Sequence, residues 1–181
     1  MSEAGLETDA FTRTDAACGF ECGKPALDAY FRRYAGQNQR RDVGRTWVLH
    51  APPDRSDLPA VIGFYTLALG ALARAALSDT EAKGLPRYPL PVAVLARLAR
   101  DRRASGLRVG ERLLVDAHRR VLEIAERAGC VGIVVDAKDA DAESFYAHYG
   151  YATLPRESEW PRRMYLPMAT IRSSAEGPRA R

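Results

Sequence analysis

The sequence predicts a mixed α/β protein built around one sheet, and three observations carry that reading. Val92–Ala99 and Cys130–Ala137 are apolar at nearly every position, the pattern of central strands covered on both faces. Between them, Leu113, Leu114, Ala117, Val121, Ile124, Ala125 and Ala128 mark one helical stripe, with Asp116/Arg120 and Glu123/Arg127 as i,i+4 pairs expected on its solvent side. Ahead of them lie shorter strand-like runs divided by turn-rich segments, so meander-like strands precede a strand–helix–strand unit.

The elements follow in order. Leu27, Tyr30, Phe31 and Tyr34 have helical spacing and Pro25 suits a first turn, which predicts a helix to about Gln37. Thr46–His50 and Ala60–Leu69 read as strands separated by Ala51-Pro-Pro-Asp-Arg-Ser-Asp57. Ser78–Gly84 is a loop or short helix leading through Pro86, Pro89 and Pro91 into Val92–Ala99. After the second apolar strand, a helix over about Ala140–Tyr149 stops at Gly150, with short strands near Tyr151–Leu154 and Met164–Ile171. Arg172–Arg181 is expected to be a flexible polar tail, leaving residues 1–171 as a single domain.

Composition narrows the function classes. At 181 residues and 46% hydrophobic content the chain can bury one substantial core. A net charge of +4 and a pI near 9.1 suit a polyanionic partner, with the placement of the arginines more informative than their number. The start of the chain has neither a cationic segment nor an apolar run, and no segment has the roughly 18 apolar residues of a membrane span, so no membrane and a cytoplasmic location are expected. Cys18, Cys22 and Cys130 form neither a CxxC pair nor a zinc spacing with histidine. They read as reduced, mostly buried thiols, with no metal site expected.

The chemistry concentrates at Leu98-Ala-Arg-Asp-Arg-Arg-Ala-Ser-Gly-Leu-Arg-Val-Gly110, an apolar strand running through a basic, glycine-marked turn into the amphipathic helix. The first amides of a helix have no intrahelical acceptor and carry a partial positive charge, so this junction can hold a phosphate. Gly106-x-x-x-Gly110 is not the GxGxxG of dinucleotide folds, and no Gly-Lys-Ser/Thr follows to make a P-loop.

Leu95-Ala-Arg-Leu-Ala-Arg-Asp101, the Gly106…Gly110 turn, Val134-Val-Asp-Ala137 and Ser144-Phe-Tyr-Ala-His-Tyr-Gly-Tyr151 resemble, in that order, the cofactor strand, pyrophosphate loop, fifth strand and fourth helix of GNAT acetyltransferases. Phe20-x-Cys-Gly-x-x-x-Leu-Asp28 and Gly63-Phe-Tyr-x-Leu67 narrow the resemblance to the GNAT toxins of bacterial toxin–antitoxin pairs, over about residues 18–171. It implies a GNAT fold, a mostly antiparallel sheet of six to seven strands flanked by about four helices. It also implies transfer of acetyl from acetyl-CoA to the α-amino group of charged tRNA, which blocks translation, and a ribbon-helix-helix antitoxin as partner. A homodimer is left open.

By the same resemblance, the backbone of Leu98 and Arg100 pairs with the pantetheine arm, and Gly106, Leu107, Arg108, Val109, Gly110 and Glu111 cradle the pyrophosphate with Arg103 beside them. Tyr146 protonates the leaving thiolate. The family loop reads Gln/Arg-x-x-Gly-x-Gly/Ala, whereas the matching positions here are Ser105, Arg108 and Gly110. Arg108 thus stands where a glycine is usual, either reaching a phosphate itself or lying solvated at the helix start.

The residues bear separately on the acceptor. An α-amine with pKa about 7.7–8.0 is roughly a tenth neutral at pH 7, whereas a lysine near 10.4 is under about a thousandth neutral and needs a dedicated base. No such base stands out. Asp101 and Asp136 read as structural or exposed, and His50, His118 and His148 are scattered. Arg32, Arg33, Arg40, Arg41 and Arg45 form a basic cluster suited to a tRNA backbone, while Arg97, Arg100, Arg102, Arg103, Arg108 and Arg112 surround the cofactor turn. The rival readings are an acetyltransferase for a small amine or protein amine, and a catalytically weak module that holds tRNA or a protein.

Overall fold

In the computed structural model, which describes residues 7–155 and 159–175, seven strands form one mixed sheet. They are β1 (Thr8–Ala10), β2 (Arg45–His50), β3 (Val61–Leu72), β4 (Leu90–Arg100), β5 (Gly132–Ala137), β6 (Ala152–Thr153) and β7 (Arg162–Pro167), in the order β1-β2-β3-β4-β5-β7-β6. The helices are α1 (Pro25–Ala29), α2 (Ala35–Arg40), α3 (Asp79–Ala82), α4 (Val109–Ala128), α5 (Ala140–His148) and α6 (Met168–Ala175), with a π-helical turn Tyr30–Tyr34 joining α1 to α2. The chain divides into two compact units, Met1–Ala68 with Ala96–Ala117 and Leu69–Leu95 with His118–Arg181.

In the first unit β2 pairs antiparallel with both β1 and β3, placing Trp47 opposite Ala10 and Tyr65. Phe20, Phe31 and Phe64 form its aromatic centre with ring centroids 4.7–5.2 Å apart, and Phe11 packs edge-on against Phe31 at 5.4 Å. Cys18 and Cys22 are half-buried free thiols against this core, less enclosed than the sequence suggests, and burial pushes the Cys22 thiol up to about 11. The first turns of α4 bury Val109, Leu113 and Leu114. A Cβ on Gly63 would lie 2.5 Å from Val109 Cγ1 and 2.9 Å from Leu113 Cδ1, so the bare glycine lets the helix start sit close against β3. Asp116, expected on the solvent side, instead accepts hydrogen bonds from Thr8 Oγ1 and Tyr65 Oη.

In the second unit β4 pairs parallel with β5 through Ala93–Leu95 and Ile133–Val135, while β7 pairs antiparallel with β5 and β6. Asp136 and Arg163 are direct cross-strand partners, bonded at 2.8 and 3.1 Å. Glu123 pairs with Arg119 at 2.9 Å, one turn N-terminal rather than C-terminal. Ser78 opens α3 with a capping box shared with Glu81. The expected strand Met164–Ile171 breaks at Pro167, which ends β7, and Met168 and Ile171 are instead the buried i,i+3 face of α6. Residues 172–175 complete that helix, and 176–181 lie outside the described residues.

Candidate active site

The glycine-marked turn expected to hold the cofactor lies in the first unit. β4 ends at Arg100, and Asp101 then caps a single helical turn, Arg102–Ala104. The side chain of Asp101 is fully buried. It accepts from the amides of Glu21 and Arg103 at 2.9 Å and from Arg103 Nε and Nη2 at 2.9 Å, while Arg103 Nη2 also donates to the Gly19 carbonyl at 2.8 Å. Burial alone would raise the Asp101 pKa. The hydrogen bonds from Arg103 and the Glu21 amide outweigh it and hold the carboxyl below the usual range. The loop is thereby tied to segment 19–21, and Arg102 reinforces the tie with a 2.8 Å ion pair to Glu21.

Beyond this anchor the backbone takes positive φ at Gly106 (+79°) and again at Arg108 (+53°). Glycine accepts that conformation freely, whereas arginine there carries roughly 1–2 kcal/mol of strain. The Arg108 carbonyl accepts the first α4 bond, from the Arg112 amide. The amides of Val109, Gly110 and Glu111 therefore occupy the first turn, where a helix has no acceptor of its own. Arg108 is paired within the turn. Its Nε and Nη2 form a fork on Glu111 at 2.5 and 2.6 Å, the arginine side chain 74% exposed and the glutamate 29%.

The pairings redistribute the basic residues of the turn. Arg102, Arg103 and Arg108 each face a carboxylate. Arg97 lies over the Tyr30 ring at 4.9 Å, and Arg100 Nη1 donates to the Asp101 carbonyl at 3.3 Å. Arg103, expected to serve the cofactor, is an anchor of the loop in this arrangement.

Tyr146 lies in the second unit, on α5. Asp139 caps that helix by accepting from the Ala142 amide at 2.8 Å. Glu143 fixes it further, accepting from Thr153 Oγ1 at 2.9 Å and Arg162 Nη1 at 2.9 and 3.1 Å. Tyr146 is 7% exposed, packed against Phe145 at 5.2 Å and Tyr151 at 5.4 Å. Burial raises its phenol well above the ordinary value, so the hydroxyl keeps its proton at neutral pH. Tyr151 Oη in turn meets His118 Nε2 at 2.9 Å, and burial lowers that histidine to about 4, leaving it neutral. No local spacing joins His118 to Tyr151, 33 residues away.

The arginine cluster also separates. Arg32, Arg33 and Arg40 line one surface pocket, joined by Arg13, which lies outside the basic cluster in sequence. Arg41 lies outside that lining, and Arg45 is paired with Asp42 at 2.7 Å.

The seven-stranded mixed sheet and the turn that opens α4 match the acetyltransferase fold that the sequence resemblance implies. No family model matches it. It is 34% identical over 143 residues to a tRNA-acetylating toxin of Mycobacterium tuberculosis, spanning 79% of this chain and 82% of that one. It is 31% identical over 169 residues to the probable toxin TacT of Sinorhizobium fredii, spanning 89% of each. Among solved structures, a tyrosine-to-phenylalanine mutant of KacT superposes with a TM-score of 0.81 at 25% identity over 92% of this chain and 96% of that one. AtaT complexed with acetyl-methionyl-tRNAfMet gives 0.80 at 28% identity over 93% and 98%, and AtaTR bound with acetyl-CoA gives 0.75 at 27% over 92% and 95%. The chain belongs to the tRNA-acetylating GNAT toxins.

Proposed function

We propose that this protein is a toxin that transfers acetyl from acetyl-CoA to the α-amino group of the amino acid on charged tRNA, so that the acylated tRNA no longer serves translation. The observation that carries this is the match to a tRNA-acetylating toxin across four-fifths of the chain, supported by a neighbour solved with acetyl-methionyl-tRNA and another with acetyl-CoA. Acetyl-CoA supplies an activated thioester. The amides of Gly106, Leu107, Arg108, Val109, Gly110 and Glu111 hold its pyrophosphate, and the backbone of Leu98 and Arg100 at the end of β4 holds the pantetheine arm.

The α-amine attacks the acetyl carbonyl in its neutral form, which a tenth of the population already has near pH 7, so no strong base is required. As the carbon–sulfur bond breaks, Tyr146 holds a proton at Oη for the departing sulfur, and the amine gives up its own proton to solvent. A phenol is a weaker acid than a thiol in water. Enclosure disfavours thiolate and phenolate alike, so the transfer remains modestly uphill instead of prohibitive. Study of KacT as a tyrosine-to-phenylalanine mutant supports giving this role to a tyrosine.

Arg32, Arg33, Arg40, Arg41 and Arg45 grip the tRNA, Arg45 more weakly because Asp42 neutralises it. The chain acts as one GNAT domain in the cytoplasm, its last described helix running past residue 171 to Ala175; among the described residues no helix is long and apolar enough to cross a membrane. A ribbon-helix-helix antitoxin restrains the enzyme. Tyr146→Phe tests the chemistry. The ring packs as before and only the proton donor is lost, so acetyl-CoA affinity and folding should hold while turnover falls by about 10²-fold or more. Turnover near wild type removes Tyr146 from the mechanism.

A further inference from the structure

Four arginines of the first unit, Arg13, Arg32, Arg33 and Arg40, line one pocket of about 530 Å³ together with Phe11, Ala16, Gly36, Gln37 and Gln39. We infer that this pocket is a phosphate site that seats one nucleotide of the tRNA, a discrete socket in place of an extended basic face. The inference rests on the reading of charged tRNA as substrate and specifies how part of it is held.

The first support is charge without compensation. Among the described residues none of the four has a carboxylate partner, whereas Arg45, Arg102, Arg103 and Arg108 elsewhere in the same unit each do. Positive side chains that line one pocket repel one another, and an anion bound among them relieves that repulsion. Guanidinium is also the group whose planar fork matches phosphate oxygens.

The second support is a fixed frame. Gln39 donates from Nε2 to the Phe11 carbonyl at 3.1 Å and accepts the Thr46 amide at Oε1, which ties one wall to β2. Phe11 is buried against Phe31. Arg32 and Arg33 ride on the π-helical turn, a rare element that widens the helix and often marks functional sites. Gly36 adds no side chain to the lining. The volume falls in the range of small-ligand sites, more than a lone phosphate fills and suited to a phosphate with its sugar. With only arginine, glutamine and small residues exposed in the lining, the pocket fits a nucleotide better than an antitoxin peptide, which would bring apolar anchors.

The phosphate could be the 5′-terminal monoester or an internal diester, and the experiment separates them. Binding of total deacylated tRNA, intact or treated with phosphatase to remove the 5′ phosphate, is measured from 50 to 200 mM salt for the wild type, Arg13→Gln and Arg33→Gln. Each substitution should weaken binding about tenfold and lower the salt slope by about one. A loss confined to the 5′-phosphorylated RNA assigns the monoester, and an equal loss on both assigns a diester. Thermal stability should not fall, because neither arginine has a carboxylate partner among the described residues, and tRNA should raise the melting temperature of the variants less than that of the wild type. Wild-type affinity and slope in both variants overturn the inference, as does intact tRNA binding with loss of antitoxin binding. Acetyl transfer to charged tRNA, assayed in parallel on the wild type, keeps the two failures apart: its absence defeats the proposed reaction, whereas its presence with unchanged tRNA binding in the variants defeats only the pocket.

Discussion

Arg108 occupies a backbone conformation that favours glycine and pairs with a carboxylate in the first turn of α4, and each property has a separable consequence. At φ +53° the residue stores roughly 1–2 kcal/mol, which Arg108→Ala retains and Arg108→Gly releases. Glycine gives back about 0.4–1 kcal/mol through the freedom of the unfolded chain. Both variants lose the Glu111 fork, an exposed pair contributing about 0.2–1 kcal/mol. The glycine variant should therefore be more stable than the alanine variant by about 1 kcal/mol, or roughly 2–4 °C in melting temperature. For binding, the account makes Arg108 a screen for Glu111. Uncovering that carboxylate in the first turn of α4 should weaken acetyl-CoA by about 1 kcal/mol, close to fivefold, in either variant. Calorimetric titration of Arg108→Gly in the native and Glu111→Gln backgrounds is the decisive cycle. The loss should vanish when Glu111 is neutral. A loss of the same size in the Glu111→Gln background refutes the screening role and makes Arg108 a direct phosphate ligand, and a glycine variant less stable than alanine refutes the strain argument.

Other perturbations follow from the same geometry. Asp101→Ala strands the Glu21 and Arg103 amides and releases Arg103, so denaturant unfolding should show a loss of about 2–3 kcal/mol, with weaker acetyl-CoA binding as the loop loosens. Gly63→Ala drives a methyl into Val109 and should cost about 1–3 kcal/mol, partly restored in the Gly63→Ala/Val109→Ala pair; an additive double variant would dismiss the contact. His50 bridges Asp9 and Asp15 at 3.0 Å. Burial opposes its charge, but hydrogen bonds to Asp15 and Asp9 prevail and raise its pKa, while Asp15, also opposed by burial, is lowered by His50 and Thr12. The histidine term is complete below about 6.5 and fades as pH rises through its folded value, and the Asp15 term is complete above about 4 and fades as pH falls through its own. Stability from this clamp should thus be greatest between about pH 4 and 6.5, and because the groups are partly exposed the effect should stay within ~2–4 °C. His50→Gln should flatten the upper limb of the melting-temperature profile.

Patterns that depend on burial could be read directly from the residues. The α4 stripe holds through Leu113, Leu114, Ala117 and Val121, and the apolar runs became β4 and β5 with their ends moved by a residue or two. Features that depend on distant partners could not. β1 is the triplet Thr8-Asp9-Ala10, held to β2 by backbone pairing and too short to show a side-chain period. Asp116 reads as a surface acid on a helical wheel, yet its partners lie 51 and 108 residues away. The α6 segment shows why a short apolar run is ambiguous, since the i,i+3 spacing of Met168 and Ile171 and the preceding Pro167 were the signals for a helix. For the site, the turn and Tyr146 carried recognisable residue patterns. The pairing of Arg102 with Glu21 and of Arg103 with Asp101, and the entry of Arg13 into the basic pocket, depend on chain crossings that no local spacing encodes.

The central claim is that acetyl is delivered to the α-amine of an amino acid esterified to tRNA. It is tested most directly by incubating the protein with labelled acetyl-CoA and total charged tRNA, digesting the RNA with nuclease and identifying the labelled adenosine esters. The account predicts label in N-acetyl-aminoacyl-adenosine, none when the tRNA is deacylated beforehand, and at most about a hundredth of the wild-type rate with Tyr146→Phe. Release of CoA with no acetylated adenosine ester, or label found on polyamines or protein lysines instead, would contradict it.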